Sequence, residues 1–374
     1  MTATLPSAGR MPFMTPDDGF SHAVDRMWAV VPAGGAGTRL WPLSRAGQPK
    51  FLHDLAGSGR TLIQATVDRL TPIVGERVMI VTGASHEGAV RMQLPDVSKV
   101  VAEPSPRDSM AAIGLAAAIM ERQDPAAILG SFAADQLIND GDSFAACVRE
   151  AAAVAATGLV VTLGIRPTFA ATGFGYIEAS EPLAGFPTAT AVRQFVEKPN
   201  QETAERYLAT GAFRWNAGMF VVRASVLLDL LALNHPELAA GLRRIAAAPE
   251  LLPDLWPGLQ KIAIDHAIAE PAADLGKVAM VPGEFDWEDI GDFAALAGLQ
   301  QGAGLKVLGQ DHLVVGHEAS GLVVTGDRDI AVLGLQDVVV VDTGDALLVT
   351  DLAHAQQVKE IVDLLKASER SDLT

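Results

Sequence analysis

A run of small residues, Ala33-Gly34-Gly35-Ala36-Gly37-Thr38, is followed at once by Arg39, and Lys50 comes eleven residues after that. Glycines let a backbone approach an anion closely, and unpaired N–H groups in such a turn form a cradle for phosphate oxygens. Two cations beside the cradle suit a triphosphate whose leaving diphosphate must be stabilised. Two familiar glycine motifs are excluded. The dinucleotide fingerprint needs a third glycine where Leu40 stands, and the P-loop needs a Gly-Lys-Ser/Thr triplet that does not follow. A tight turn with surface cations is the plain alternative.

Carboxylates and bases recur at segment ends. Asp135 follows the buried run Ala127-Ile128-Leu129, where crevices form in α/β sheets. It reads as a Mg²⁺ ligand or as a turn or cap residue. Phe285 to Phe293 is dense in acids, with Asp286, Glu288, Asp289 and Asp292. Glu197 and Lys198 close a strand before Pro199. Strand neighbours point to opposite faces, so an ion pair between them is expected to be poor, and both are expected to turn towards a ligand. Pro104 to Asp108 is a proline-stiffened loop with Asp108 or Ser109 as helix cap. Asp265 sits in a helix-like stretch, capping it or facing a cleft. The histidines lack the spacing of a zinc hydrolase, and there is no Gly-x-Ser-x-Gly elbow. Cys147, the one cysteine, lies in an Ala-rich helical stretch and reads as core.

These residues need a scaffold that converges strand ends. Apolar runs at 28–32, 78–81, 127–129 and 159–163 alternate with helical patterns at 62–70, 109–122 and 143–156. That alternation predicts a mostly parallel, Rossmann-like sheet with helices on both faces. After about residue 302 short strands follow one another with no helix between them, which predicts a small all-β module. No internal repeat is regular enough for a true solenoid. An amphipathic helix over 353–365 closes the chain. The expected organisation is a flexible tail over 1–27, an α/β unit over 28–300 and a β module over 301–374.

The chain has 374 residues and a net charge of −17. Such a balance argues against a nucleic-acid partner, since phosphate polymers are held by clustered Lys and Arg. Nothing reaches the length of a membrane span, and the first residues do not form a signal peptide, so a cytoplasmic location is expected.

Gly34 to Arg45, with Leu40-Trp41-Pro42-Leu43-Ser44-Arg45, and then Pro49-Lys50-Phe51-Leu52, resemble the signature of sugar-nucleotide pyrophosphorylases of the mannose-1-phosphate guanylyltransferase branch. The resemblance runs from about Trp28 to the final helix. It implies a GT-A-like nucleotidyltransferase domain and a C-terminal module resembling a left-handed β-helix. The implied reaction is GMP transfer from GTP to mannose 1-phosphate, giving GDP-mannose and diphosphate. By resemblance, Arg39 and Lys50 are catalytic. Ala33, Gly34, Gly35, Gly37, Thr38, Arg107 and Asp108 meet the nucleotide. Gly175, Glu197, Lys198 and Asn216 meet the sugar phosphate. Asp135 and Asp289 hold Mg²⁺. The chain departs from the family pattern at Asp108-Ser109 for Asn-Thr, at Gln136 for His and at Ala217 for Ser. A homodimer is implied, and the chain is too short for the appended isomerase of bifunctional relatives. Another sugar 1-phosphate and nucleotide pair, such as glucose 1-phosphate with GTP, and a non-catalytic GDP-sugar-binding homologue are the alternatives.

Overall fold

Val30, Val31, Ile80, Leu129 and Val161 have no polar atom to offer water, and all lie fully inside the structure. Their runs form strands covered on both faces, which is why the runs are continuous and not alternating. The computed structural model describes residues 16–35, 37–300, 302–368 and 370–374.

The first strands and helices are α1 (Pro16–Asp25), β1 (Met27–Ala33), α2 (Leu62–Val74), β2 (Val78–Gly83), α3 (Glu87–Gln93), β3 (Lys99–Glu103) and α4 (Asp108–Gln123). Next come β4 (Ile128–Ser131), β5 (Leu137–Ile138), α5 (Gly141–Ala155), β6 (Val160–Ile165), β7 (Tyr176–Pro182), β8 (Thr190–Val196), α6 (Gln201–Thr210) and β9 (Phe213–Arg223). The α/β unit ends with α7 (Ala224–Asn234), α8 (Pro236–Ala247), α9 (Leu252–Leu255), α10 (Glu270–Asp274), β10 (Val278–Gly283), β11 (Trp287–Glu288) and α11 (Phe293–Leu299).

Nine strands form one sheet in the order β3-β2-β1-β4-β9-β6-β10-β8-β7. β1, β2, β3 and β4 pair in parallel, as do β6 and β10, while β8 and β9 run against their neighbours. The mostly parallel sheet is therefore as expected. One apolar layer, built on α2 and α5, covers one face, and α4, α7 and α8 build the other. The carboxyl ends of β1, β3 and β4 consequently open on one side, where a ligand crevice forms.

The C-terminal module contains β12 (Leu305–Leu308), β13 (Val314–His317), β14 (Gly321–Val324), β15 (Ile330–Leu333), β16 (Val338–Asp342) and β17 (Leu347–Asp351), then α12 (Val358–Ala367). β12, β14 and β16 stack in parallel, and so do β13 and β15, as successive coils of a β-helix. The coils keep their register although no sequence repeat marks them. What recurs is burial, as Leu322 and Val323 of β14 and Val339 of β16 have no exposed surface. β17 turns back antiparallel on β16 and ends the stack.

Two expectations change. Within the 1–27 tail, Pro16–Asp25 is a helix packed against α5, because Ala23 and Val24 bury their side chains there. Residues 1–15 lie outside the described residues. The closing α-helix starts at Val358, later than the periodicity suggested; Leu352–Gln357 is a tighter 3₁₀ turn capped by Asp351, which accepts from the His354 amide at 2.9 Å.

Candidate active site

The glycine turn leaves the end of β1 and winds into the 3₁₀ turn Thr38–Leu40. Gly37 has φ +58°, and a Cβ there would stand 2.8 Å from Ser44 Oγ and 3.2 Å from Lys50 Cβ. Only glycine lets the loop close so tightly on Lys50. Arg39 projects from this turn with its side chain exposed.

Lys50 is buried, and its ammonium is shared. Nζ lies 3.0 Å from Asp135 Oδ2 and donates to the carbonyl of Asp289 at 2.8 Å and to that of Ile290 at 3.3 Å. Burial alone would push its pKa down, but Asp135 and Asp289 outweigh that and hold it above the ordinary lysine value. Burial pushes the Asp289 carboxyl up, the Asp135 charge adds to the rise, and Lys50 opposes it.

Two residues far apart in sequence meet here through a small ribbon. β5, just after Asp135, pairs antiparallel with β11, just before Asp289, through Leu137↔Glu288 and Ile138↔Trp287. Both carboxylates thereby share one end of the cleft. Their oxygens are hard donors, and their mutual repulsion is what a divalent cation relieves. The donor set therefore fits Mg²⁺. Among the described residues no group of three or more His, Cys, Asp or Glu could hold a metal ion, so substrate or water oxygens must complete any shell.

Beside this cluster lies a cavity of about 450 Å³, lined by Ala33, Gly34, Gly35, Arg107, Asp108 and Asp135, and also by Val81, Glu103 and Lys261. Five of the expected nucleotide contacts thus surround one space. Gly37 and Thr38 do not line it; they open the 3₁₀ turn that follows. Arg107 is tied down, since Nε donates to the Trp256 carbonyl at 3.2 Å and Nη2 to that of Pro257. Asp108 has φ +66° and its carboxylate accepts from the Ser109 amide at 2.9 Å, while Ser109 Oγ accepts from the Ile264 amide at 2.9 Å.

Glu103 was not singled out by the sequence. It ends β3 inside the cavity, and burial pushes its carboxyl up to about 7. A charged residue closing the apolar run Val100-Val101-Ala102 just before Pro104 was the available signal. Lys261, exposed at the rim, had no local signal at all.

A second group sits just past the end of β8 and on β9. Lys198 Nζ pairs with Glu197 Oε1 at 2.6 Å, contrary to the expectation that strand neighbours would face apart. β8 stops at Val196, and Lys198 has φ +45°, so strand alternation no longer applies to the two side chains. A Cβ on Gly175 would come 2.6 Å from Glu197 Oε2 and 3.3 Å from Asn216 Cβ, so glycine is needed for this close approach. Asn216 is buried in a network. Its Oδ1 accepts from Thr162 Oγ1 at 2.8 Å and from the Gly218 amide at 3.1 Å, and its Nδ2 donates to Asp265 Oδ1 at 2.8 Å. Burial, then the Glu197 charge, push Asp265 up to about 6. Asp265 is more central than its sequence context suggested, and its stretch, Asp265–Ala269, is a π-helix. Gln136 donates to the Ala217 carbonyl at 2.9 Å and so braces the same strand.

The two groups are near enough for the Lys198 charge to act on Asp265, Asp108 and Asp289. A larger concavity of about 770 Å³, walled by Phe169, Phe174, Trp215 and Trp287, contains neither Lys50 nor Asp135 nor Asp289. Cys147 donates to the Pro282 carbonyl at 3.3 Å, and burial pushes its thiol up to about 11, so it is not a nucleophile.

The nucleotidyl transferase family matches residues 28–303, the whole span that carries this cleft. The chain belongs to the nucleotidyl transferase family. Residues 312–365 match the MannoseP isomerase/GMP-like beta-helix domain, in agreement with the stacked coils. The nucleotidyl transferase chain is 36% identical over 358 residues to the xanthan biosynthesis protein XanB of Xanthomonas campestris pv. campestris (strain ATCC 33913), covering 92% of this chain and 74% of that protein. It is 35% identical over 369 residues to the mannose-1-phosphate guanylyltransferase of Escherichia coli K12, covering 94% and 76%. The solved structure described as a mannose-1-phosphate geranyltransferase from Thermus thermophilus superposes with a TM-score of 0.82 at 31% identity, covering 91% of this chain and 99% of that one.

Proposed function

We propose that this nucleotidyl transferase moves GMP from GTP to α-D-mannose 1-phosphate, releasing diphosphate and forming GDP-mannose. The observation that carries the reading is the convergence of Lys50, Asp135 and Asp289 beside the glycine turn. The relatives' names supply the two substrates.

In this reading a sugar phosphate oxygen attacks the α-phosphorus in line, the bond to the β-phosphate oxygen breaks, and its electrons leave with diphosphate. No side chain becomes covalently attached. Positioning and charge stabilisation do the work. Gly34 and Gly35 bring main-chain groups to the phosphates, and exposed Arg39 meets the departing diphosphate. Lys50 holds Asp135 and the Asp289 loop in register and adds positive charge. Lys198 exchanges its bond to Glu197 for the sugar phosphate, while Glu197 and the Asn216–Asp265 pair orient the hexose. Glu103, at the end of β3, faces the base, and a carboxylate matches the adjacent N1–H and N2–H₂ donors of guanine. Mg²⁺ on Asp135 and Asp289 would neutralise charge on the phosphate oxygens.

A homodimer, a cytoplasmic setting, a GT-A-like classification and a left-handed sense for the coils are part of the same proposal, by resemblance. Among the described residues no helix is long and apolar enough to cross a membrane. A matrix of nucleoside triphosphates against sugar 1-phosphates, read by diphosphate release, tests the reading. GTP with mannose 1-phosphate should give the highest kcat/KM. Preference for another pair would replace the substrates, and tight nucleotide binding with no turnover would remove the activity.

A further inference from the structure

Trp41 and Arg45 belong to the stretch that directly continues the glycine turn, yet both side chains reach the β module. Leu40 and Trp41 are buried with Leu322, Val339, Val341 and Val358 of the β module. The Trp41 indole donates to the Leu373 carbonyl at 2.7 Å. Arg45 is clasped more fully. Nη1 and Nη2 donate to the two Asp345 carboxylate oxygens at 2.6 and 2.7 Å, Nη2 also to Thr343 Oγ1 at 3.2 Å, and Nε to the Pro42 carbonyl at 3.1 Å. A two-pronged guanidinium–carboxylate contact fixes direction as well as distance.

The clasp is wired to the cations by main chain. Arg45 and Gln48 exchange both backbone hydrogen bonds at 3.0 Å, and Lys50 follows two residues later. In the other direction the Ser44 amide donates to Leu40 at 2.9 Å, and the Leu40 amide to Gly37 at 2.9 Å, spanning Arg39. The Asp289 loop leans on the same module. Ile290 and Phe293 are fully buried in the shared apolar cluster, and Gln356 donates to Asp292, whose carboxylate caps α11.

We infer that the β module is part of the catalytic apparatus, and that Arg45 and Asp345 are a positioning pair that sets where Arg39 and Lys50 stand. The module grips both loops, and among the described residues none of the module lines the cavity beside Lys50 and Asp135. Misplacing a reacting or charge-bearing group by about 1 Å can cost about a hundredfold in rate. The inference rests on the proposed GMP transfer for its kinetic readout, but not for its structural one.

The test compares full-length wild type with Asp345→Asn, Asp345→Glu and Arg45→Ala. Asp68→Asn, which breaks an exposed two-pronged pair with Arg60 elsewhere, is the control. Expected for Asp345→Asn is a kcat lower by about tenfold or more, with KM for mannose 1-phosphate within about twofold. Asp345→Glu, which keeps the charge, should recover most of the loss, and the control should match wild type. Amide hydrogen exchange should quicken over 38–50 in Asp345→Asn and stay unchanged in β6 and β10. Unchanged turnover and exchange in Asp345→Asn would overturn the inference. So would a loss that Glu does not recover, or exchange that quickens throughout the chain. If Arg45→Ala does not fold, the near-isosteric Asp345→Asn decides alone. Wild type without GMP transfer would sink the proposed activity, and the exchange comparison would still decide the clasp.

Discussion

Lys50 Nζ stands 3.0 Å from Asp135 Oδ2, and the same ammonium carries the carbonyl of Asp289 at 2.8 Å. One buried cation therefore ties the Asp135 carboxylate to the main chain of Asp289, the two residues that β5 and β11 bring to the cleft. Its stabilising charge is fully present below the ordinary lysine pKa and is lost only as pH rises through its raised value.

Lys50 and Arg39 should separate when each is removed. Lys50→Ala leaves the half-buried Asp135 carboxylate unpaired and should cost on the order of 3 kcal/mol of stability at most, as well as turnover. Urea unfolding should show a lower midpoint at unchanged slope. Arg39 is exposed, so Arg39→Ala should leave the midpoint in place while lowering kcat by about 10²–10³, the loss expected for one transition-state donor. A wild-type kcat in Arg39→Ala would take that residue out of the mechanism.

GTP affinity should depend on the ionisation of Glu103. Its carboxyl is held up at about 7 by burial, and only the ionised form can accept from both guanine donors. Affinity should therefore improve as pH rises, by about tenfold between pH 6 and pH 8 for one group titrating midway. The stability contribution has the opposite sign. The folded state retains the proton that the unfolded chain has lost, so this group lowers stability as pH rises from the ordinary glutamate range to about 7. Isothermal titration of GTP against wild type and Glu103→Gln checks this. Equal pH slopes in the two proteins would remove Glu103 from base recognition.

Gly175→Ala should damage sugar binding without touching the nucleotide. The new methyl would meet Glu197 Oε2 at 2.6 Å and so shift the carboxylate whose other oxygen, Oε1, pairs with Lys198. KM for mannose 1-phosphate should rise about tenfold, roughly the loss of one charge-assisted hydrogen bond, while the Kd for GTP stays within error. A parallel weakening of GTP would mean that the loop holds both ligands.

Much of this molecule was legible along the chain because its signals are local. Continuous apolar runs announced a sheet covered on both faces, and their ends marked Asp135 and the glycine turn as cleft residues. The string from Gly34 to Lys50 pointed to phosphate chemistry through residue type and order alone. Glu103 and Asp265 were harder to see, since a lone acid has no periodicity and its meaning comes from what surrounds it.

The sequence by itself determined the apolar runs that become β1, β2, β4 and β6, the change from α/β to short strands after about residue 302, and which cations and carboxylates are available. Only the tertiary structure decided their partners. Pairing β5 with β11 brings Asp135 and Asp289 together across a long stretch of chain, and Lys198 reaches Glu197 because the strand ends and φ turns positive between them. Trp41 to Arg45 belong to the stretch that carries the family resemblance, yet they hold the β module, because the register of distant strands places Thr343 and Asp345 against Arg45. Local preference is set by each residue's own backbone and neighbours, whereas convergence depends on sheet order and register, which the whole chain settles cooperatively.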